Sequence, residues 1–491
     1  MSTRAIEARS FLLRCRRAYS TTRFSLQDTR PATAPRQYPS ITQIRDNVEL
    51  YEHNAVVRNY GSHKAIPRRV ADNARRLKEL DQQMVGSRQT LKELQKTLNA
   101  TKGDKSSIIA QMKEIRPSLD ALQAERDSLD SETQAMALSL PNLTSSETPT
   151  DGRPRMRSYI NYDAENPPQY SPSADHSMIG EALGLVDFSS ASTTSGWGFY
   201  FLMNEAALLE QALIQYALSV AMNRGWSVVS PPSLVYSHMA AACGFQPRDQ
   251  HDEQQIWQVA QSERDVGKPT RSLAATAEIP LASMYANKTI PAERLPIKLV
   301  GSSRCYRAEA GARGVDTKGL YRVHEFTKVE MFAWTDCPPP NHEGLIDEAA
   351  WTEHSSQLLD EMVGTQCEIL SNLGLPCRIL EMPSSDLGAS AYRKIDIEAM
   401  FPSRKKRDDG WGEVTSASIC TDYQSRRLDT RILEPDGSRK KFAHTVNGTA
   451  LAVPRVLAAI LENGWRGEEG CVVIPQVLRG YMGGMEKIGP R

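Results

Sequence analysis

The chain has 491 residues, too many for one ordinary hydrophobic core and enough for two or three domains. Charged residues make up 24% and hydrophobic residues 40%, as in typical globular proteins. Lys plus Arg and Asp plus Glu both number 59, and this zero net charge argues against a uniformly basic nucleic-acid coat protein. No apolar run approaches the roughly 18 residues of a membrane-spanning helix, so we expect no membrane insertion. The eight cysteines have no C-x-x-C spacing, which disfavours a disulfide scaffold or structural zinc.

Residues 1–38 differ in composition from the rest of the chain. They hold eight arginines, two acidic residues, no lysine and many serines and threonines, which gives a net charge of +6. An arginine-rich, acid-poor amino terminus is typical of a mitochondrial transit peptide, and Arg-Ala-Tyr-Ser at 17–20 resembles a processing site. We therefore predict import into the mitochondrial matrix and exclude residues 1–38 from the fold. A disordered basic tail is the alternative.

Residues 39–142 predict a helical arm. Two runs carry apolar residues at alternating steps of three and four, which indicates a coiled-coil seam. The runs are Leu77, Leu80, Met84, Leu91, Leu94 and Leu98, then Ile108, Met112, Ile115, Leu119, Leu122, Leu129, Met136 and Leu140. The turn-like segment 99–104 makes the two helices antiparallel neighbours, and Pro117 should kink the second. A spacer or dimerisation coil and an arm that contacts RNA both fit this pattern, because the basic residues are mixed with acids.

The next segment, 143–175, is rich in proline, serine, threonine and asparagine, which predicts a linker. From 176 to 491 the pattern changes to mixed helix and strand. The glycine-rich phosphate loop, the Rossmann fingerprint, the G-x-S-x-G elbow and the H-E-x-x-H pair are all absent from the sequence. If this region uses a nucleotide, it does so by other means.

Polar residues instead follow a period of two, which is typical of strands. If 321–330 is a strand, one face carries Arg322, His324, Phe326, Lys328 and Glu330, while Val323 and Val329 face the core. A cation, an aromatic ring and a carboxylate on one face suit a nucleotide together with an amine-bearing ligand. A solvated sheet face is the alternative, which the phenylalanine disfavours.

Three further segments repeat this strand-borne polar pattern. Arg307 and Glu309 share one strand face, as do Thr276 and Glu278 on another predicted strand. The segment 413–416 offers oxygens for a hard cation such as Mg²⁺. Residues 447–449 lead into an apolar helix with Pro454 in its first turn and Arg455 off the apolar stripe.

Taken in order, these segments resemble seryl-tRNA synthetases of the class II aminoacyl-tRNA synthetase family. The matching segments are SGWGFYFL at 195–202, TAEIPL at 276–281, YRAEAG at 306–311, DTKGL at 316–320, RVHEF at 322–326, KVE at 328–330, TDYQSRR at 421–427, HTVNGT at 444–449, LAVPR at 451–455 and IPQVLR at 474–479. The arm agrees through IRDN at 44–47 and LPNL at 140–143. The resemblance covers nearly everything after residue 38.

The resemblance implies a two-step reaction: the carboxylate of L-serine attacks the α-phosphate of ATP, and the 3′-terminal adenosine of serine tRNA then takes the seryl group. Arg307 and Arg455 match the catalytic arginines, and Glu413 and Ser416 match the Mg²⁺ ligands. The implied serine-binding residues are Thr276, Glu278, Arg307, Glu330 and Thr449. The implied ATP-binding residues are Arg307, Ala308, Glu309, Arg322, Val323, His324, Glu325, Phe326, Glu413, Val414, Thr415, Ser416 and Arg455.

The implied fold is α+β: an antiparallel two-helix coiled-coil arm at 39–142 and, at 176–491, a class II catalytic domain with a mostly antiparallel sheet flanked by helices. The arm would grasp the long variable arm of serine tRNA. Gly225 and Pro232 match a dimer-interface motif, which implies a homodimer. The sequence departs from the family pattern at Ala417, Ser418 and Gly480, and in a basic insertion at 403–409.

Two alternatives are a synthetase-like paralogue that binds RNA or partners without charging tRNA, and a coiled-coil structural protein. Loss of Arg307, Glu330 or Arg455 would indicate the first, and all three are present. The second does not explain the polar strand faces.

Overall fold

The computed structural model describes residues 31, 33–168, 174–245, 255–265, 267–309, 319–337, 347–406, 408–437 and 440–490. Most of the predicted transit segment and the glycine-containing loop expected at 310–320, up to residue 318, lie outside these ranges. No helix within the described ranges is long and apolar enough to cross a bilayer.

The amino-terminal arm is the predicted helical hairpin. Two short helices, α1 (Ile41–Asp46) and α2 (Val48–Val57), precede two long ones, α3 (Ile66–Ala100) and α4 (Ser106–Ser139). The predicted seam is the less exposed face of both long helices, and Leu80, Met84 and Met112 are buried on it. Helix α4 continues through Pro117. The antiparallel coiled coil is therefore confirmed.

Ion pairs join the two long helices across the seam. Arg69 lies 2.8 Å from Glu132, and Arg76 lies 2.8 Å from Glu125. All four side chains are more than two-fifths exposed, so each pair contributes at most about 1 kcal/mol. Apolar packing along the seam thus stabilises the hairpin, and the ion pairs mainly fix its register.

Two polar side chains, the buried Arg58 and the partly buried Asn142, fasten the base of the arm to the second domain. Arg58, 1% exposed, donates to the carbonyl oxygens of Asn142 at 3.0 Å, Ala391 at 2.9 Å and Gly388 at 2.6 Å. Burial lowers the pKa of Arg58 to about 10. The Asn142 amide donates to the carbonyls of Ser390 and Cys420, both at 2.9 Å. All of these bonds except the one from Arg58 to Asn142 cross between the arm and the sheet domain.

The second domain is built on an eight-stranded sheet in the order β1-β11-β12-β13-β16-β10-β9-β4. Every neighbouring pair is antiparallel except β4 and β9. The strands are β1 (Arg155–Ile160), β4 (Ser227–Val228), β9 (Ile297–Tyr306), β10 (Glu325–Thr335), β11 (Cys377–Glu381), β12 (Arg393–Met400), β13 (Trp411–Thr421) and β16 (His444–Ala452). The predicted mostly antiparallel sheet is confirmed.

Smaller strands surround this sheet. They are β2 (Val186–Asp187), β3 (Phe201–Leu202), β5 (Leu234–Tyr236), β6 (Gln258–Val259), β7 (Arg271–Leu273), β8 (Thr289–Pro291), β14 (Arg431–Leu433), β15 (Lys440–Phe442), β17 (Trp465–Arg466), β18 (Cys471–Val473) and β19 (Lys487–Ile488). The remaining helices are α5 (His176–Ala182), α6 (Phe188–Ser195), α7 (Asn204–Asn223), α8 (Ser237–Ala242), α9 (Glu278–Ser283), α10 (Glu348–Asn372), α11 (Tyr423–Leu428), α12 (Val453–Gly464) and α13 (Gln476–Arg479).

The largest core lies between one face of the sheet and helices α7, α10 and α12. In β10, Val329, Met331 and Ala333 face these helices, whereas Phe332 and Trp334 belong to a second core on the opposite face. The alternation follows from the period of two in a strand. It leaves the even-numbered positions 326, 328 and 330 on the face away from the helices.

The interpretation of 143–175 as a linker alone is wrong, because β1 (Arg155–Ile160) pairs with β11 at the edge of the main sheet. Five of the six residues of β1 are exposed, so the strand lacks the alternation that sequence reasoning relies on.

The last residues of the predicted transit segment lie against the sheet domain. The amide of Tyr38 donates to the carbonyl of Arg426 at 2.9 Å, and the Asn287 amide donates to the carbonyl of Thr33 at 3.1 Å. The Tyr38 ring centroid is 5.6 Å from that of Phe442. Residues 33–38 thus contribute contacts to the folded domain.

Candidate active site

A cleft of about 520 Å³ opens on the sheet face away from α7 and α10. It lies where β9 ends and β10 begins, beside β13 and the start of α12. Its lining residues are Arg307, Glu309, Tyr321, Arg322, Val323, Phe326, Lys328, Glu413, Val414, Thr415, Ser416, Thr449, Ala452, Pro454 and Arg455. The cleft therefore gathers most of the residues that the resemblance implied for ATP.

One end of the cleft combines an aromatic ring with arginines and a carboxylate. The Arg307 guanidinium carbon lies 5.2 Å from the centroid of the Phe326 ring. Arg322 approaches Glu309 at 3.7 Å. Val323 packs with Phe326 in one small apolar cluster. A planar apolar wall with charged groups at its rim suits a purine base and its phosphates.

The predicted strand over 321–330 is correct only from Glu325 onward, because β10 begins there. Residues 321–324 form a bend in which the His324 amide donates to the Gly198 carbonyl at 2.8 Å. Val323 consequently lines the cleft, contrary to the expectation that it faces the main core.

Three residues assigned to ATP do not line this cleft. The His324 ring lies 4.4 Å from the Trp197 ring and bonds the Arg307 carbonyl through Nδ1 at 2.9 Å. Glu325 approaches Arg304 of the neighbouring strand β9 at 3.8 Å, on the sheet face opposite the cleft. The Ala308 amide donates to the Gln255 carbonyl at 3.2 Å. His324 instead supports the segment beside it, since its carbonyl accepts the Arg307 amide at 2.9 Å.

Arg455, in the first turn of α12, is held by three oxygen acceptors. Its Nη1 lies 2.9 Å from Glu413 Oε2 and donates to the Glu413 carbonyl at 3.0 Å, and its Nε donates to the Tyr321 carbonyl at 3.1 Å. Burial alone would raise the pKa of Glu413, but Arg455 and Lys394 outweigh burial and lower it to about 2. Glu413 is therefore an anion at any physiological pH.

A β-bulge brings Glu413 and Ser416 to the same cleft. Across the β12–β13 ladder Glu413 faces Glu398 and Thr415 faces Ile397, so Val414 is one extra residue. Without the bulge, residues three apart would point to opposite faces. The bulge restores the common face, so two oxygen ligands of the kind that Mg²⁺ prefers line one wall.

A buried polar cluster adjoins the inner end of the cleft. Lys328 and Thr449 line the cleft, whereas Glu330, Thr276 and Glu278 are not among its lining residues. Glu330 is 1% exposed and accepts from the Thr449 hydroxyl at 3.2 Å. Lys328 Nζ lies 2.7 Å from Glu330 Oε2. A bulge in the β10–β16 ladder lies between Val329 and Glu330, at this cluster. The cluster provides a fixed acceptor and a fixed donor for a small zwitterionic ligand.

Thr276 and Glu278 are buried beside this cluster, but not on a strand as predicted. Glu278 begins helix α9, and its amide donates to the Thr276 hydroxyl at 3.2 Å. The Gln424 amide donates to the Glu278 carboxylate at 2.6 Å, and the Thr445 hydroxyl fixes Gln424 at 2.7 Å. Burial and then the neighbouring Glu330 raise the pKa of Glu278 to about 7, despite opposing effects of Lys328 and Gln424.

This raised pKa predicts a pH-dependent affinity for a cationic amine. Below pH 7 Glu278 is mostly protonated and neutral, and above it the carboxylate can pair with an ammonium group. If serine binds here, its KM should fall about tenfold between pH 6 and pH 8, while Glu278→Gln should have a high, flat KM over that range. Steady-state kinetics at constant ionic strength measure this. A wild-type KM independent of pH would contradict it.

Sequence reasoning assigned no role to several residues of the site. Tyr321, Lys328, Ala452 and Pro454 line the cleft, and Gln424 bonds Glu278 from helix α11. Lys328 had a signal in its position between Phe326 and Glu330. Gln424 had none, because its partner is 146 residues away.

The fold and cleft define the class of protein: residues 263–464 match the tRNA synthetase class II core domain (G, H, P, S and T). Residues 40–144 match the seryl-tRNA synthetase N-terminal domain, which coincides with the arm.

The chain is 37% identical to serine–tRNA ligase, mitochondrial, of Saccharomyces cerevisiae, over 92% of this chain and 93% of that protein. It is 41% identical to serine–tRNA ligase of Rubrobacter xylanophilus, over 72% of this chain and 76% of the relative. The crystal structure of seryl-tRNA synthetase from Pyrococcus horikoshii complexed with ATP matches with a TM-score of 0.77 at 29% identity, covering 92% of this chain and 100% of that one. This chain belongs to the serine–tRNA ligase family.

Proposed function

We propose that the protein activates L-serine with ATP and transfers the seryl group to the 3′ end of serine tRNA. The observation that carries this proposal is one cleft lined both by Arg307, Arg455 and Glu413 and by Lys328 and Thr449. The last two residues pair with the buried Glu330. The first set suits a nucleotide, and the second suits a small amino acid. A catalytically inactive paralogue is not favoured by any of these contacts.

The chemistry requires positioning and charge neutralisation, since the serine carboxylate is itself the nucleophile. It forms a bond to the α-phosphorus, and diphosphate leaves with the electron pair of the broken P–O bond. Arg307 binds the serine carboxylate and the α-phosphate, while Phe326 stacks against adenine and Glu309 accepts its amino group. Arg455 neutralises the outer phosphates, and Arg322 contacts phosphate as well.

Glu413 and Ser416 fit a Mg²⁺ ion that arrives with ATP. Among the described residues no group of three or more His, Cys, Asp or Glu side chains is arranged to hold a metal ion. Two oxygen ligands are nonetheless enough, because Mg²⁺ typically keeps several waters and takes substrate phosphates as its other ligands. The ion would offset charge on the phosphates. The low pKa of Glu413 keeps this ligand ionised.

The test is ATP–pyrophosphate exchange by the purified chain with serine, alanine, glycine and threonine compared. We expect exchange with serine. Folded protein that exchanges with none of the four amino acids would overturn the proposed activity. That result would favour the catalytically inactive paralogue.

The arm, 39–142, is proposed to bind tRNA by shape. Its acids and bases are intermixed, and some pair across the seam, which suits contacts with an RNA backbone better than strong long-range attraction. Joining residue 76 to residue 125 by a short turn would remove the tip and keep the base. We expect exchange to stay within about twofold and tRNA charging to fall about 100-fold, since one binding surface is lost.

Both half-reactions are measured on the same preparation of this shortened chain. Equal loss of exchange and charging would show that the arm only supports the fold, and normal charging would show that it does not bind tRNA.

We also propose a homodimer in which each arm serves the tRNA held by the partner subunit. Strand β4 ends the sheet with Val228 48% exposed, and nearby Met222 is 56% exposed. Exposed apolar side chains at a sheet edge favour pairing with a second chain. Sedimentation at a mass of one chain would contradict this.

The proposed location is the mitochondrial matrix, with residues 39–142 as the arm and a catalytic domain that begins at β1, residue 155, and continues to 491. The composition of 1–38 supports import, and the yeast relative carries the name mitochondrial. Because Thr33 and Tyr38 bond the sheet domain, we expect the mature protein to begin before residue 33 and nearer the 17–20 site. Mass spectrometry of the amino terminus of protein recovered from mitochondria measures this. A mature chain beginning at 39 or later would contradict it.

A further inference from the structure

A buried pair of ionisable side chains outside the cleft has no part in the chemistry above. His176, at the start of α5, is 8% exposed, and Glu462, near the end of α12, is 3% exposed. His176 Nδ1 lies 2.8 Å from Glu462 Oε1, although the two residues are 286 positions apart. The opposite ring nitrogen, Nε2, accepts the backbone amide of Leu320 at 3.1 Å.

The contacts determine which protons these groups carry. Since the Leu320 N–H is a donor, Nε2 of His176 is the acceptor and the ring proton is on Nδ1, facing Glu462. Glu462 also accepts from the His176 amide at 3.2 Å, the Ser403 amide at 3.1 Å and the Ser403 hydroxyl at 2.9 Å. All four partners are donors, so an ionised carboxylate, which only accepts, fits this position.

The pair joins two segments that flank the cleft. Leu320 directly precedes Tyr321 and Arg322, which line the cleft. Ser403 begins the basic insertion, and the next residue, Arg404, places its guanidinium carbon 4.4 Å from the Tyr321 ring centroid. Both segments are therefore fastened to one carboxylate on α12.

Helix α12 holds the 320–322 segment at two points. Glu462 holds Leu320 through His176, and Arg455 holds the Tyr321 carbonyl at 3.1 Å. The backbone before Leu320 leaves no space for a side chain. Gly319 has φ +77°, and a Cβ there would come within 3 Å of both His176 Nε2 and the Ser177 hydroxyl.

We propose that His176 and Glu462 are positioning residues for ATP. They act as a clamp that fixes Tyr321 and Arg322 at the cleft. Fixing Tyr321 also fixes its carbonyl oxygen, which accepts a hydrogen bond from Arg455. The clamp touches no substrate atom in this scheme. It rests on the proposed function, because its effect is expressed through nucleotide binding. The serine cluster around Glu330 is built from β10 and β16 and does not depend on the clamp.

The test variant is His176→Asn. The asparagine amide stands where Nδ1 stood and can still donate to Glu462, but no atom replaces Nε2 as acceptor for Leu320. We expect the KM for ATP in pyrophosphate exchange to rise about tenfold, the size of one lost hydrogen bond, while the KM for serine stays within about twofold. A general loss of structure would move both constants together.

Gly319→Ala disturbs the same contact from the residue before Leu320, so it covers the case in which His176→Asn does not fold. It should produce the same selective rise in the KM for ATP. His176→Gln is the matched rescue, because its longer side chain places an oxygen near the Nε2 position and should recover part of the affinity.

An unchanged KM for ATP in a folded variant, or equal rises for ATP and serine, would overturn the clamp. Wild-type protein is assayed in parallel. Its failure to exchange with serine would overturn the proposed activity instead, so the two failures are distinguishable.

Discussion

Arg307→Gln is expected to lower kcat/KM for serine activation by about 10² to 10³, the cost of removing one preorganised cation from the developing phosphate charge. Arg307 lies over the Phe326 ring at 5.2 Å, and its backbone is fixed from both sides by His324. The guanidinium is therefore held at the cleft before substrates arrive. Pyrophosphate exchange measures the loss.

Two further variants separate charge from geometry. Arg307→Lys keeps the charge but not the planar fork that binds two oxygens at once, so it should recover only part of the activity. Arg304→Gln is the matched control three positions earlier, on β9, because Arg304 is 47% exposed and faces Glu210 at 3.6 Å. It should be close to wild type. Equal effects at positions 304 and 307 would contradict the assigned role.

Selection of serine over alanine is expected to be the other large effect, on the order of 10⁴ in kcat/KM. Glu330 and Thr449 lie together in a buried cluster, and alanine has no hydroxyl to pair with these groups. Leaving buried polar atoms unpaired costs their full desolvation penalty. Thr449→Val keeps the shape of the side chain but removes its hydroxyl, so the ratio of serine to alanine should fall about 10- to 100-fold.

Thr327→Val is the matched control for selectivity. Thr327 is also buried on β10, but its hydroxyl donates to Glu210 at 2.7 Å, outside the serine cluster. This variant should lose stability without losing selectivity. Exchange rates with serine and with alanine are measured on wild type, Thr449→Val and Thr327→Val. A serine-to-alanine ratio that stays unchanged in Thr449→Val would contradict the serine assignment.

The arm could be predicted because its seam is a local repeat. Leu77 to Leu98 and Ile108 to Leu140 each indicate a helix within one run of sequence. Helix α4 and the end of α3 lie within a few residues of these runs, whereas α3 begins earlier, at Ile66. The helix carrying Arg455 was predictable for the same reason. Its apolar stripe and Pro454 are local signals as well.

The errors occurred where non-local bonds overrule the local pattern. Residues 321–324 alternate like a strand, but the His324 amide bonds Gly198 and the Leu320 amide bonds His176, which bends the chain. Thr276 and Glu278 also alternate, yet helix α9 starts at Glu278. Strand β1 was missed because five of its six residues are exposed. None of these partners is visible from sequence spacing.

The site was predictable in composition but not in arrangement. Arg307, Phe326, Glu413 and Arg455 could be named from the sequence, and all four line the cleft. The bulge at Val414 could not be predicted from the sequence, although this bulge turns Glu413 and Ser416 to the same side of the strand. A single extra residue in a strand leaves no compositional signal.

The attachment of the arm at Arg58 and Asn142 has a geometric consequence for translation. Helix α3 has 35 residues and so extends about 52 Å from its base. On a lever of that length, a tilt of about 5° at the pivot would displace the far end by about 4 to 5 Å, more than the span of a hydrogen bond. If the arm binds tRNA as proposed, the position of the bound RNA therefore depends on the orientation of the arm at its base. Arg58 and Asn142 therefore set the direction of the whole arm relative to the cleft.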